Sequence, residues 1–370
     1  MGRYQMKNMH KFVPGMLCAA VFSVAVAIGG SAMTAKPVQA AETLKVGYYI
    51  GEKHPLVSHG INVFMEEVKQ ATNGEIDFRV FPAGQLFKPR DTVRSLQTGI
   101  ADIGLVVMPY HREEFPLSQV INVPHGWTPW ELTNSYMRAS VSPGLIKDEW
   151  EKNGLVPLVF SSNAAYEIHT AKLPLPDMAS VKGMKIRSSG GVFDDIVTSI
   201  GAVPVAIKTP EIVEAIERGT IDATVYAFSN WGSYKLGEVL NHTTVNSGLP
   251  GPSGLVYAIS KKVFDKLTPE QRQAVLDAGR KASITAQTQT LDMNVEALAE
   301  LKAKGLKTYE WPAEDVAALK KTFEPIRAKW VSDMEASNHP GKKVLEELEA
   351  FHKTAAEAPE DLPAHTLGDS

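Results

Sequence analysis

Apolar positions along this chain alternate between a period near two and a period near 3.6. Lys45 to Tyr49 reads as a strand, and a loop with His54-Pro55 follows. Val57, Ile61, Phe64, Met65 and Val68 then fall on one helical face, closed by Asn73-Gly74. Ile76 to Phe81 alternates as a strand. A helix around Thr92 to Thr98 ends at Gly99, and Asp102 leads into the apolar strand Ile103 to Met108. The phrase recurs later: a helix around Ile212 to Arg218 ends at Gly219, and Asp222 leads into Ala223 to Phe228. Each copy has a glycine suited to the left-handed position that ends a helix, an aspartate three residues on, and a strand of the buried type. Matching units in two halves, with strands and helices alternating, predict an α/β chain of two lobes with a cleft between them.

The last third reads differently. Leu255 to Ile259 forms another strand, and Thr268-Pro269-Glu270 is a helix start, with Thr as N-cap and Pro in the first turn. From Gln271 the pattern stays helical through Gln287 and Leu291 to Lys304, ending at Gly305. That is too long for an ordinary helix, so it is expected either to break or to lie across both lobes. The tail after Thr354, rich in Ala, Glu and Pro, is expected to fray.

The N-terminus changes the setting. Arg3, Lys7 and Lys11 precede a small and apolar run from Val13 to Gly30, and Val38-Gln39-Ala40 has small residues where a signal peptidase reads. A secretory leader over residues 1–40 is expected, with the mature chain starting near Ala41. Leu17 stands before Cys18, where a lipoprotein anchor needs a small residue. Cys18 is the only cysteine of the chain, so the mature protein has neither disulfide nor thiolate chemistry and depends on its core. A length of 370 residues suits two lobes, and a net charge of −4 gives no reason to expect nucleic-acid binding.

Candidate chemistry centres on Arg187. Met184 to Arg187 reads as a short strand that runs through Ser188-Ser189-Gly190-Gly191 into a helix with Val192, Ile196, Val197 and Ile200 on one face. A guanidinium at the carboxyl end of a strand, beside a glycine-rich helix start, suits an anion. The alternative is an arginine salt-bridged to a surface carboxylate. Ser188 and Ser189 either line a ligand or cap the helix. Aromatic and apolar residues stand at the same strand ends: Tyr226, Phe228 and Trp231 after the second repeat unit, Tyr48 and Tyr49 after the first strand, and Met108, Tyr110 and His111 after another. Where several converge, they make a flat apolar slot with one cationic end.

Enzyme chemistry finds no support in the motifs. The chain has no G-x-S-x-G elbow, zinc helix, P-loop or G-x-G-x-x-G, and Gly251-Pro252-Ser253-Gly254 lacks the elbow's spacing. His54 and His59 are five apart and have no acidic cluster beside them. Asp194-Asp195 and Glu66-Glu67 are neighbours on helices and point in different directions, as on solvated faces. A secreted hydrolase using Asp194 or Glu167 with a water is the rival reading. No cofactor and no metal are implied.

Several phrases together resemble a known family. Phe81-Pro82-Ala83-Gly84-Gln85-Leu86, Gly99-Ile100-Ala101-Asp102, Gly183-Met184-Lys185-Ile186-Arg187, Gly201-Ala202-Val203-Pro204 and Gly219-Thr220-Ile221-Asp222 are similar to those of the solute-binding proteins of tripartite ATP-independent periplasmic (TRAP) transporters, the DctP family. Leu267-Thr268-Pro269-Glu270 and the long helix after it also fit. The resemblance implies a two-lobed periplasmic binding protein fold with a hinge and a long C-terminal helix spanning both lobes. It places residues 41–164 plus 253–290 in lobe I, 165–252 plus 291–335 in lobe II, and a C-terminal helix and tail in 336–370. It implies a monomer in the periplasm that closes on a small organic acid and delivers it to membrane permease subunits; a sensor-kinase partner is the alternative. Arg187 matches the family arginine that grips the ligand carboxylate. Glu167, before His169-Thr170, stands where the family tends to have a second arginine. That carboxylate would repel a second anionic group or greet an amine. Tyr226 replaces a polar family position. The expected ligand is therefore a monocarboxylate with an aromatic or apolar body, with a C4-dicarboxylate, sugar acid or amine-bearing ligand as the alternative. Glu167, Ser188, Ser189, Tyr226, Phe228, Trp231, Tyr49, His54, Met108 and Tyr110 are its expected neighbours beside Arg187.

Overall fold

The computed structural model describes residues 42–251 and 253–357, so the leader expected over 1–40 and the end of the tail lie outside the described residues. The strands are β1 (Glu42–Gly47), β2 (Ile76–Phe81), β3 (Ile103–Val107), β4 (Leu155–Ser161), β5 (Glu167–Thr170), β6 (Lys185–Ser188), β7 (Val203–Ala206), β8 (Ala223–Tyr226), β9 (His242–Val245), β10 (Leu255–Ser260) and β11 (Lys307–Glu310). They form two mixed sheets, ordered β2-β1-β3-β10-β4 and β11-β9-β5-β8-β6-β7. In the first sheet β1 runs parallel to β2 and β3, and β10 is antiparallel to both β3 and β4. In the second, β6 runs parallel to β7 and β8, while β5 is antiparallel to β8.

The two repeat units fold alike because their aspartates do the same job. Gly99 (φ +77°) and Gly219 (φ +66°) end their helices in the left-handed region. Asp102 then accepts the N–H of Lys45 through Oδ2 at 2.8 Å, and its own N–H donates to the Lys45 carbonyl at 2.9 Å. Asp222 makes the same pair of bonds with Lys185, both at 2.8 Å. Each aspartate thus ties the end of a helix to the neighbouring strand, β1 in one sheet and β6 in the other.

The chain passes between the sheets at residues 162–166, at residues 246–254 and along the helix Pro269–Ala303. That helix runs 35 residues without a break. Its start is a capping box: Thr268 Oγ1 accepts the Gln271 N–H at 3.2 Å, and Gln271 Oε1 accepts the Thr268 N–H at 3.0 Å. It packs on β4 and on the helix Asn62–Ala71 of the first sheet, then reaches the turn Phe228–Asn230 of the second. There Asn294 Oδ1 accepts the Ser229 N–H at 3.1 Å. Close approach depends on Gly279, where a Cβ would lie 2.5 Å from the Leu158 carbonyl oxygen. Where the helix leaves the first sheet, buried Gln287 Oε1 accepts the Ser162 N–H at 2.8 Å, Thr133 Oγ1 at 3.0 Å and Ser161 Oγ at 3.2 Å. Among the described residues no helix is long and apolar enough to cross a membrane.

The helix expected around Val57 to Val68 has a wide first part. Leu56–Ile61 winds as a π-helix before the α-helix Asn62–Ala71, and His54 Nδ1 accepts the Leu56 N–H at 3.1 Å. That bond anchors His54 at the cleft.

Candidate functional site

A cavity lies between the two sheets. Tyr49, Ile50, His54, Val107 and Tyr110 line it from the first sheet's side, and Arg187, Ser189, Thr209, Pro210, Tyr226 and Tyr234 from the second's. Asn163, Tyr166, Ser253 and Leu255 complete it where the chain crosses.

Arg187 is the only acidic or basic side chain in this lining that carries a charge at neutral pH, since His54 is held neutral by burial, its pKa lowered to about 3. β6 holds Arg187 at its carboxyl end, with β7 and β8 on either side. The side chain is 2 % exposed. Its Nε donates to the Ile207 carbonyl at 2.7 Å and its Nη2 to Thr209 Oγ1 at 3.2 Å. No carboxylate among the described residues lies within ion-pair distance of it. The surface salt bridge that the sequence leaves open as an alternative is therefore not formed. A buried guanidinium that bonds only a carbonyl and a hydroxyl is uncompensated in charge, and an anion in the cavity would balance it.

Thr209 also reaches across the cleft. Its N–H donates to the Tyr110 hydroxyl at 3.3 Å, and the Tyr110 and Thr209 hydroxyls lie 3.4 Å apart. Beyond Arg187 the walls are rings. The guanidinium stands 5.8 Å from the Tyr226 ring centre, Tyr226 lies 6.0 Å from Tyr234, and Tyr234 lies 6.4 Å from His54. Tyr166 packs against Tyr226 at 5.8 Å, and its hydroxyl accepts Asn163 Nδ2 at 2.9 Å. Burial raises the pKa values of Tyr49, Tyr166, Tyr226 and Tyr234, that of Tyr166 to about 12 despite the opposing pull of Arg187, so these four remain neutral. Because His54 Nδ1 is an acceptor, its proton sits on Nε2.

Six of the expected residues, Arg187, Ser189, Tyr226, Tyr49, His54 and Tyr110, border this one cavity; five do not. Glu167 is buried beside Tyr226 in the β5–β8 register, yet its carboxylate is turned aside. It accepts Thr244 Oγ1 at 2.5 Å and the Ser247 N–H at 3.2 Å, and burial raises its pKa against those bonds. Glu167 therefore presents no charge to the cavity and neither repels nor greets a ligand group there. Ser188 donates to Asp194 and accepts the Gly190 N–H at 3.2 Å, so it braces the turn. The helix Val192–Ser199 already has Asp194 and Asp195 in its first turn, which answers the positive end that the sequence suggested for an anion. Phe228 and Trp231 pack edge-on against buried His169, at 5.2 and 4.8 Å. Met108 is fully buried, and its Sδ accepts the Tyr136 hydroxyl at 3.6 Å.

Tyr166, Tyr234, Asn163, Thr209 and Ser253 line the cavity without having stood out in the sequence. Tyr166 and Tyr234 are near Glu167 and Trp231 in the chain, and only the fold tells which neighbour faces the cleft. Thr209 sits in the short 3₁₀ turn Thr209–Glu211 after β7, the counterpart of the turn Pro89–Asp91 before the first repeat unit.

The description "Bacterial extracellular solute-binding protein, family 7" (DctP) belongs to the family whose model matches residues 46–333. The C4-dicarboxylate-binding periplasmic protein DctP of Rhodobacter capsulatus is 26 % identical over 72 % of this chain and 80 % of its own. A TRAP solute-binding protein from Rhodoferax ferrireducens, solved with copurified benzoate, superposes with a TM-score of 0.76 at 22 % identity, over 86 % of this chain and 99 % of that one. A marine metagenome TRAP solute-binding protein specific for aromatic acid ligands, in complex with metahydroxyphenylacetate, gives a TM-score of 0.77 at 22 % identity, over 85 % and 99 %. With its two sheets, its crossing helix and a family match over most of its length, the chain belongs to the DctP family of extracellular solute-binding proteins of TRAP transporters.

Proposed function

We propose that this protein is the periplasmic receptor of a TRAP transporter for aromatic monocarboxylates, handing its ligand as a monomer to the membrane permease. The observation that carries the reading is the charge content of the cavity: one buried guanidinium, Arg187, and otherwise neutral, largely aromatic walls. One carboxylate balances one guanidinium. A dicarboxylate would leave its second charge among tyrosine rings and a neutral histidine, at a desolvation cost of several kcal/mol. The rings of Tyr226, Tyr234 and Tyr166 suit a flat aromatic body. Relatives of this fold that hold benzoate and metahydroxyphenylacetate support the same choice.

No bond chemistry is needed. Arg187 and Ser189 approach the ligand from one lobe, and Tyr49, His54 and Tyr110 from the other. A ligand between them makes its full set of contacts only when the lobes are closed, so it shifts the closure equilibrium. Isothermal titration of the mature protein with benzoate, phenylacetate, succinate and galacturonate tests the reading. Binding confined to the first two, and weakened by about 2–5 kcal/mol in Arg187→Ala, is the expected result. Preference for succinate or galacturonate, or an unchanged affinity in Arg187→Ala, would overturn it.

A further inference from the structure

Two polar groups on the first lobe face the cavity with nothing to bond. The Tyr49 hydroxyl is buried and has no hydrogen-bond partner among the described residues. His54 spends Nδ1 on the Leu56 N–H, which leaves Nε2–H as a donor that no acceptor among the described residues takes up. Both residues line the cavity. A buried donor left unbonded is destabilising, and cavities hold such groups where a ligand or an ordered water satisfies them.

The rings place His54 in the cavity. From Arg187 the series runs to Tyr226 at 5.8 Å, on to Tyr234 at 6.0 Å, and then to His54 at 6.4 Å. His54 is thus separated from the guanidinium by two aromatic rings. The lining thus has one cationic group on the second lobe, and Tyr49 and His54 are uncharged hydrogen-bonding groups on the first.

We propose that Tyr49 and His54 form a second recognition point, which selects aromatic acids with a neutral polar group, such as a ring hydroxyl, in addition to the carboxylate. This inference rests on the aromatic-acid reading of the cavity and adds a specificity to it. A second carboxylate does not fit this point, because neither group carries a compensating charge. A bare ring fits it less well, since both donors stay unbonded in its complex. A site built to hydrogen-bond a ligand hydroxyl rejects the analogue that lacks it.

The test measures dissociation constants of the mature protein for benzoate, 3-hydroxybenzoate and 4-hydroxybenzoate, and for phenylacetate beside its 3- and 4-hydroxy forms. In the wild type, at least one hydroxylated acid of a set binds 5-fold or more tightly than its parent. In Tyr49→Phe that ratio falls to within 2-fold of one. The melting temperature of unliganded Tyr49→Phe is equal to or above that of the wild type, because the hydroxyl removed has no partner. A ratio near one in the wild type, or one that survives in Tyr49→Phe, overturns the inference while Arg187-dependent binding of the parent acids leaves the aromatic-acid reading intact. A lowered unliganded melting temperature makes the hydroxyl structural and also overturns it. Failure of every one of these acids to bind the wild type overturns both readings.

Discussion

Arg187 is among the largest fully buried side chains of the protein, and it sits there without a counter-ion. Burying a charge in that state costs several kcal/mol, so the residue is destabilising until a ligand arrives. Replacing it with an apolar side chain of similar length reverses the sign. Arg187→Met is expected to raise the unfolding free energy of the unliganded protein by on the order of 1–3 kcal/mol, read from urea denaturation, while abolishing binding. A fall would show that its bonds to Ile207 and Thr209 hold the fold together. Histidine burial sets a pH dependence. His54 and His169 are 3 % and 0 % exposed, and burial lowers both from 6.5 to about 3. Between those values the unfolded chain takes up protons that the native protein refuses. Their contribution is complete above pH 6.5 and is lost as pH falls toward 3. Glu149 and Glu167 have raised pKa values and act in the opposite sense, favouring the fold below about 4.5 and less so as pH rises through the raised values. Urea midpoints at pH 7, 6 and 5 are expected to fall with acidification, the imidazoles outweighing the two carboxyls, and a rise over that span would show the carboxyls dominant instead.

At the scale of elements, the Gly-x-x-Asp phrase was legible because its glycine acts locally and because the phrase recurs. The glycine stops the helix, and the aspartate has one backbone N–H to find, on Lys45 or Lys185. The strand at Ile103, the helix at Ile212 and the N-cap at Thr268 were legible for the same reason: a short stretch states its own requirement. β9 and β11 were not. His242–Val245 and Lys307–Glu310 are four residues each, and they pair with one another across more than sixty residues. Nothing local marks such a partnership. The same limit explains Glu167 and Tyr166. They are adjacent in the chain, and the donors on Thr244 and Ser247, brought by β9 and the turn after it, take the carboxylate out of reach of the cavity. The crossing helix depends on one glycine as much as on its caps. Gly279→Ala gains about 1 kcal/mol in helix propensity but drives a Cβ to 2.5 Å from the Leu158 backbone oxygen. The net expectation is a loss of about 2 kcal/mol in thermal or chemical unfolding; a stabilised variant would mean that the helix rides more loosely on β4 than its contacts imply.

Across the whole molecule, one hydrophobic cluster includes Val106 and Phe160 of the first sheet and Ile186 and Val225 of the second, and the two sheets also share the helix Pro269–Ala303, which governs what motion is possible. At about 1.5 Å per residue its 35 residues make a rod roughly 50 Å long. One end is gripped by β4 through Gly279, and the other is tied to the second lobe through Asn294. A rod clamped at both ends resists twist and sliding far more than it resists flexing. Any parting of the lobes must therefore bend it near Gln287, where its grip on Ser161 and Ser162 ends. The bending work is recovered on return, so the rod acts as a leaf spring. Relatives built on the same rod would differ in how wide they gape, and scarcely in the direction of the swing.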